Sequence, residues 1–187
     1  MKYTLDNGRH GTIRLPETPT ARTLDGAWQL EATTVAPGGD SVVNLNLARL
    51  TDWRDIPELA GKSGTGNYTK TFNLSKSWLA NGRGVTLAPG EIHGTLFAWI
   101  NGKKVPMPTV GDIEVDITKY LRAGKNKIRL QVATTLNNQV ISLGKAGVDR
   151  FAGFAQRTPT AAGLTGHVVL KPYAEAEVAT ERPGEKN

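Results

Sequence analysis

An Asn101-Gly102 step, set between Ala98-Trp99-Ile100 and Lys103-Lys104-Val105, constrains this chain more than any other feature. Asparagine and glycine tolerate the positive φ angles of a two-residue hairpin turn, so extended runs on both sides of such a step predict two antiparallel strands. An all-β module at the centre of the 187 residues follows. With 21 glycines and 10 prolines beside 39% hydrophobic residues, the chain has turn punctuation for many corners and apolar content for one core.

Period-two alternation extends this reading in both directions. Trp28 and Leu30 are expected to point inward, with Gln29 and Glu31 outward. Tyr68, Lys70, Phe72 and Leu74 share one strand face, with Asn67, Thr69, Thr71 and Asn73 on the other. Ile113, Val115 and Ile117 alternate with acids, and Ile128, Leu130 and Val132 alternate with Lys127, Arg129 and Gln131. Further strands are predicted over 11–15, 42–47 and 167–171 and from Val85, with one short helical turn over 75–80. Roughly eight to ten candidate strands without a long helical period predict two packed antiparallel sheets. If Leu96, Ala98 and Ile100 face the core, Phe97 and Trp99 are apolar on the opposite face, which makes them candidates for an interface with another domain.

The chain contains no cysteine, which excludes disulfides, thiolate metal ligands and a cysteine nucleophile. No run is apolar enough to cross a bilayer and the start lacks the apolar segment of a secretory signal, so a soluble product with no membrane partner is expected. The formal charge of +6 raises polyanions as partners. Lys119, Arg122, Lys125, Lys127 and Arg129, however, are spaced as on a solvated strand face, and no specific nucleic-acid partner is read from them. The glycine-rich stretch 61–66 lacks the Gly-Lys-Ser/Thr ending of a phosphate-binding loop. His10, His93 and His167 lie far apart, and neither Asp40 nor Asp55 begins an EF-hand-like series. Neither a metal site nor a cofactor is expected.

A sugar site needs an aromatic ring against the C–H face of the sugar, and amides, carboxylates or guanidinium groups for its hydroxyls. Asp52, Trp53 and Arg54 unite these types in the polar, proline-terminated loop 50–57, where Trp53 either stacks on a ligand or anchors the loop. Asn137 and Asn138, with Gln139, follow a predicted strand and either bind hydroxyls or cap a turn. Arg150 lies beside the Phe151-Ala152-Gly153-Phe154 segment and is a further binding candidate. Trp28 and Tyr68 read as core residues, and Trp78 as a plug between a helical turn and the sheet. Acids such as Glu91 with Asp112 or Glu114 form a hydrolytic pair only if folding sets their carboxyl groups at the required separation.

Several of these fragments occur in a familiar order: Leu24-Asp25-Gly26-Ala27-Trp28, Gly66-Asn67-Tyr68-Thr69-Lys70-Thr71-Phe72, Trp99-Ile100-Asn101-Gly102-Lys103, Val115-Asp116-Ile117-Thr118-Lys119-Tyr120-Leu121, Gly124-Lys125-Asn126-Lys127-Ile128 and Ala162-Gly163-Leu164-Thr165-Gly166-His167-Val168. In that order the chain resembles the noncatalytic sugar-binding, jelly-roll domain of glycoside hydrolase family 2 and related rhamnosidases. The resemblance implies a galactose-binding-like jelly-roll β-sandwich of two antiparallel sheets over residues 22–173. Residues 1–21 are then an N-terminal extension or edge strand, and 174–187 a flexible C-terminal tail. The catalytic carboxylates of such enzymes lie on a separate barrel, so the resemblance implies a nonenzymatic module. Its expected partners are carbohydrate and a catalytic domain of the same or another chain. The alternative is a structural or protein-interaction domain that binds no sugar, with intrinsic glycosidase activity expected least.

Overall fold

The computed structural model of the protein describes residues 2–6, 8–36, 38–108 and 113–176. In chain order its strands are β1 (Lys2–Thr4), β2 (His10–Thr12), β3 (Arg22–Thr23), β4 (Trp28–Thr34), β5 (Ser41–Leu47), β6 (Gly64–Leu74) and β7 (Arg83–Ala88). They continue as β8 (Glu91–His93), β9 (Thr95–Ile100), β10 (Lys103–Val105), β11 (Val115–Asp116), β12 (Gly124–Ala133), β13 (Gly163–Thr165) and β14 (Val169–Ala174). An α-helix, α1 (Asn137–Lys145), lies between β12 and β13.

The Asn-Gly step forms its hairpin: Asn101 and Gly102 have φ of 51° and 82°, and β10 pairs back on β9. The Asn101 side chain does a second job. Its amide donates to the Tyr120 carbonyl (2.9 Å) and to Asn126 Oδ1 (2.8 Å), and its Oδ1 accepts from the Lys127 N–H (3.0 Å). The turn is thereby tied to the start of β12, the strand beside the hairpin.

Among the described residues every strand pairing is antiparallel. A six-stranded sheet runs β10-β9-β12-β6-β4-β5, and a four-stranded sheet runs β11-β7-β14-β3. The fold is all-β, with the core between these layers. The inward residues of the large sheet, among them Leu30, Tyr68, Ala98 and Leu130, join Val85, Leu87, Ile117 and Leu170 in one buried cluster. Trp28 and Tyr68 are core residues as read from the alternation, and Trp78 is buried in the 3-10 turn Lys76–Leu79.

Three expectations are corrected. The strand predicted over 11–15 is His10–Thr12, which pairs with β1 in a separate two-stranded sheet. The strand around 113–117 shortens to β11, because Asp116 accepts from the Thr118 N–H (2.8 Å) and opens the 3-10 turn Thr118–Tyr120. The polar turn expected at Asn137 is the first turn of α1, whose buried residues are Asn138, Ile141 and Gly144. An asparagine and a glycine on the buried stripe hid its helical period. Of the tail expected over 174–187, residues 177–187 lie outside the described residues, as does Asp112.

Candidate functional site

Alternation that sends Ile128, Leu130 and Val132 into the core leaves Lys127, Arg129 and Gln131 on the outer face of the large sheet, and the same holds strand by strand. The register then aligns these outward residues into rows. One row runs Lys104, Trp99, Arg129, Thr69, Gln29, Asn46 across β10, β9, β12, β6, β4 and β5. The next runs Phe97, Gln131, Asn67, Glu31, Asn44. With neighbouring strands about 4.8 Å apart, the six-residue row spans about 24 Å, the length of several linked sugar rings.

The second row is knitted together. Gln131 Nε2 donates to Asn67 Oδ1 (2.9 Å), and Asn67 Nδ2 donates to Glu31 Oε1 (3.4 Å). In the first row the Arg129 guanidinium lies 3.8 Å from the centroid of the Trp99 ring, and Lys104 Nζ lies 4.9 Å over Phe97. Phe97 is exposed and Trp99 half-buried, their rings 6.4 Å apart and tilted by 47°. Two troughs of about 540 and about 680 Å³ adjoin on this face and share Gln29, Asn46, Thr69 and Lys127. At their rim Lys70 donates to the Ala27 carbonyl (2.8 Å) with its ammonium 5.4 Å over Trp28. Burial lowers the Lys70 pKa, opposed by the charge of Asp25 and aided by that of Arg22.

The residues singled out from the loops have other duties. Trp53 is 1% exposed, and its indole N–H donates to the Tyr68 hydroxyl (2.7 Å), which also accepts the Leu164 N–H (3.1 Å). Burial pushes the Tyr68 hydroxyl up to about 12. A Cβ on Gly163 would stand 2.5 Å from the Trp53 ring, and one on Gly66 would stand 2.9 Å from it. The indole therefore fills a slot left by two glycines and offers no face to a ligand, which corrects its reading as a stacking platform.

Asp52 caps the 3-10 turn Trp53–Asp55 and accepts from the Arg54 backbone (2.9 Å), from Arg54 Nε (3.0 Å) and Nη2 (2.8 Å), and from the Ala162 N–H (3.3 Å). Burial raises its pKa, but these hydrogen bonds and the Arg54 charge outweigh it and hold the carboxyl below its ordinary value. Arg54 also donates to the Pro159 carbonyl (3.3 Å). Asn138, itself buried, accepts the Thr160 N–H (2.9 Å) and donates to the Thr160 carbonyl (2.7 Å), while Asn137 reaches Thr160 Oγ1 (3.2 Å). Asp52, Arg54, Asn137 and Asn138 thus come together around segment 159–162 and bind it rather than face a trough. Arg150 stands apart, its guanidinium 4.7 Å from the Phe151 ring beside α1.

Glu91 accepts from Thr165 (3.2 Å) and lies 3.9 Å from His93, whereas Glu114 pairs with Lys171. Among the described residues no three His, Asp or Glu side chains form a group that could hold a metal ion.

A sequence model of the sugar binding domain of glycosyl hydrolases family 2 matches residues 21–149. The chain belongs to that family. Among its relatives, a putative beta-glucuronidase of Formosa agariphila is 25% identical over 154 residues, covering 80% of this chain and 13% of that protein. A beta-galactosidase of Yersinia pestis is 33% identical over 78 residues, covering 41% of this chain and 7% of that protein. The chain therefore spans a small fraction of the length of these relatives. A rhamnosidase structure from Novosphingobium sp. PP1Y shares the fold at a TM-score of 0.69 and 24% identity, over 89% of this chain and 16% of that one. A family 2 glycosyl hydrolase from Bacteroides cellulosilyticus does so at a TM-score of 0.50 and 22% identity, over 83% of this chain and 21% of that one. All six strands of the large sheet lie inside the span that matches the sugar binding domain.

The alternation places Gln29, Glu31, Asn67, Thr69, Lys127, Arg129 and Gln131 on polar strand faces, whereas Phe97 and Trp99 are read from it as an apolar face for a neighbouring domain. The row itself depends on β12 lying between β6 and β9, a pairing that no local pattern encodes.

Proposed function

We propose that this chain is a noncatalytic, carbohydrate-binding accessory module of a glycoside hydrolase, and that it binds sugar on the outer face of its six-stranded sheet. The observation that carries this reading is the cross-strand row from Trp99 and Arg129 through Thr69 and Gln29 to Asn46, which borders two adjoining troughs. Two amides, a hydroxyl and a guanidinium in one line match the alternating donors and acceptors of sugar hydroxyls. Family membership supports the same reading, since the matched model is a sugar binding domain. We assign the sandwich over 22–173 to this role, residues 1–21 to an extension, and hydrolysis to a separate domain.

A second reading has its own observation. Val35, Leu136, Val140, Leu143 and Phe151 line a small apolar groove beside α1, in which Leu136 is 59% exposed. Such a surface suits protein contact better than sugar contact. A module that only props a catalytic domain would use it and leave the polar row idle.

Titration of the protein with rhamnose-, galactose-, glucuronate- and mannose-containing oligosaccharides, followed by amide chemical shifts, separates the two. Saturable shifts confined to β12, β6 and β4 are expected. An unresponsive spectrum at millimolar concentrations of every sugar would leave the structural reading in possession.

A further inference from the structure

The geometry points to an acidic saccharide, one that carries carboxylate or sulfate groups, as the ligand of the outer face, with Arg129 and Lys127 as its anion-binding residues. This rests on the sugar-binding reading above and adds the charge class of the ligand.

Strand alternation places Lys125, Lys127 and Arg129 on the outer side of β12, about 7 Å from one to the next. Among the described residues, none of the three has a carboxylate within ion-pair distance. The carboxylate in the two rows is Glu31, which lies in the second row, accepts from Asn67 (3.4 Å) and lines the same trough as Lys127 and Arg129 without coming within ion-pair distance of either. A line of unpaired positive charge therefore borders the amides of Gln29 and Asn46 and the hydroxyl of Thr69. A neutral sugar uses only the latter; a ligand with negative charge also uses the cations, which otherwise face solvent.

Arg129 is also set for such a ligand. Its guanidinium carbon lies 3.8 Å from the centroid of the Trp99 ring, and among the described residues its N–H groups have no hydrogen-bond or ion-pair partner; a guanidinium so placed has donors left for a carboxylate or sulfate, which it can meet with two parallel hydrogen bonds. The ring contact holds this fork of donors in place before the ligand arrives. The same contact argues against single-stranded nucleic acid, which binds through open aromatic faces. Trp99 is already covered by Arg129, and Phe97 has Lys104 over it.

The test uses the 187-residue chain and five probes: oligogalacturonate, a sulfated galactan oligosaccharide, neutral galacto- and manno-oligosaccharides, and an oligonucleotide of matched charge. Affinity is measured at low and high salt, and sites are mapped by amide shifts. The acidic sugars are expected to bind saturably on β12, β6 and β4, more weakly at high salt. Arg129→Gln should weaken them about tenfold, Lys127→Gln several-fold, and Arg129→Lys by an intermediate amount, because it keeps the charge and loses the fork. Lys145→Gln, an exposed charge on α1 that lines neither trough, should leave affinity unchanged. Dispersed amide spectra verify that each variant is folded.

Neutral sugars bound as tightly as acidic ones on the same face would overturn the charge assignment and leave the sugar-binding reading intact. No saturable response to any sugar would overturn both. Equal weakening by Lys145→Gln, or equal affinity for the oligonucleotide, would show general attraction of polyanions to a basic protein and also overturn the proposal.

Discussion

Asn126 is fully buried, yet its amide is satisfied from all sides: Oδ1 accepts from Asn101 Nδ2 and the Arg122 N–H, and Nδ2 donates to the carbonyls of Arg122 and Gly124. Its removal would strip partners from the turn that closes the hairpin and from the entry to β12. Asn126→Ala is expected to cost about 3 kcal/mol in urea unfolding, the sum of an unpaired amide and unpaired backbone groups; a loss below about 1 kcal/mol would mean that water replaces them. Asp52 gives a second test, in pH. Its folded-state pKa is depressed, so its contribution to stability is present above the unfolded value of about 4 and is lost as pH falls through the folded one. The urea midpoint of the native protein should therefore fall more steeply than that of Asp52→Asn between about pH 5 and about pH 3; parallel curves would sink the assignment. Both roles were only half legible in the chain. The Asp52-Trp53-Arg54 triplet has the composition of a sugar site, but the slot that swallows Trp53 is made by Gly66 and Gly163, far apart in sequence.

Among the elements, α1 sets two effects of one substitution against each other. Gly144→Ala gains about 1 kcal/mol of helix propensity. The added Cβ, however, would stand 2.4 Å from the Phe151 carbonyl oxygen, where the helix packs against the 3-10 stretch Asp149–Phe154. Backbone cannot swing aside as a side chain does, so overpacking of about 1–3 kcal/mol or more should win and the variant should unfold at lower urea. Stabilisation would instead mean that the 3-10 stretch is free to shift. Helix α1 also marks the limit of pattern reading. Strands with one polar face announce themselves by alternation, as β4, β6 and β12 do, whereas the nine-residue helix α1 buries Asn138, Ile141 and Gly144 and leaves Val140 and Leu143 on its open groove, so its apolar residues do not mark the buried side. The hairpin turn was legible because the φ angles at Asn101 and Gly102 restrict which residues can occupy them. The order of strands in the sheet was not, since it is fixed by contacts among segments remote in sequence.

At the scale of the whole molecule, the large sheet serves two purposes with one set of strands. Its inner side belongs to a single buried cluster shared with the smaller sheet, and its outer side carries the proposed sugar row. No strand of the row can detach without opening the core, so occupancy of the row and global unfolding must be linked. A ligand that binds only the folded state at ten times its Kd stabilises it by about 1.4 kcal/mol. In a chain of this size that raises the thermal midpoint by about 3–6 °C. The shift should follow the logarithm of ligand concentration, appear equally in far-UV and near-UV circular dichroism, and shrink in Arg129→Gln at the same concentration. A midpoint that rises for one probe alone would place the ligand on an element that loosens before the sandwich does, such as the β1–β2 hairpin, whose strands, among the described residues, form a two-stranded sheet of their own.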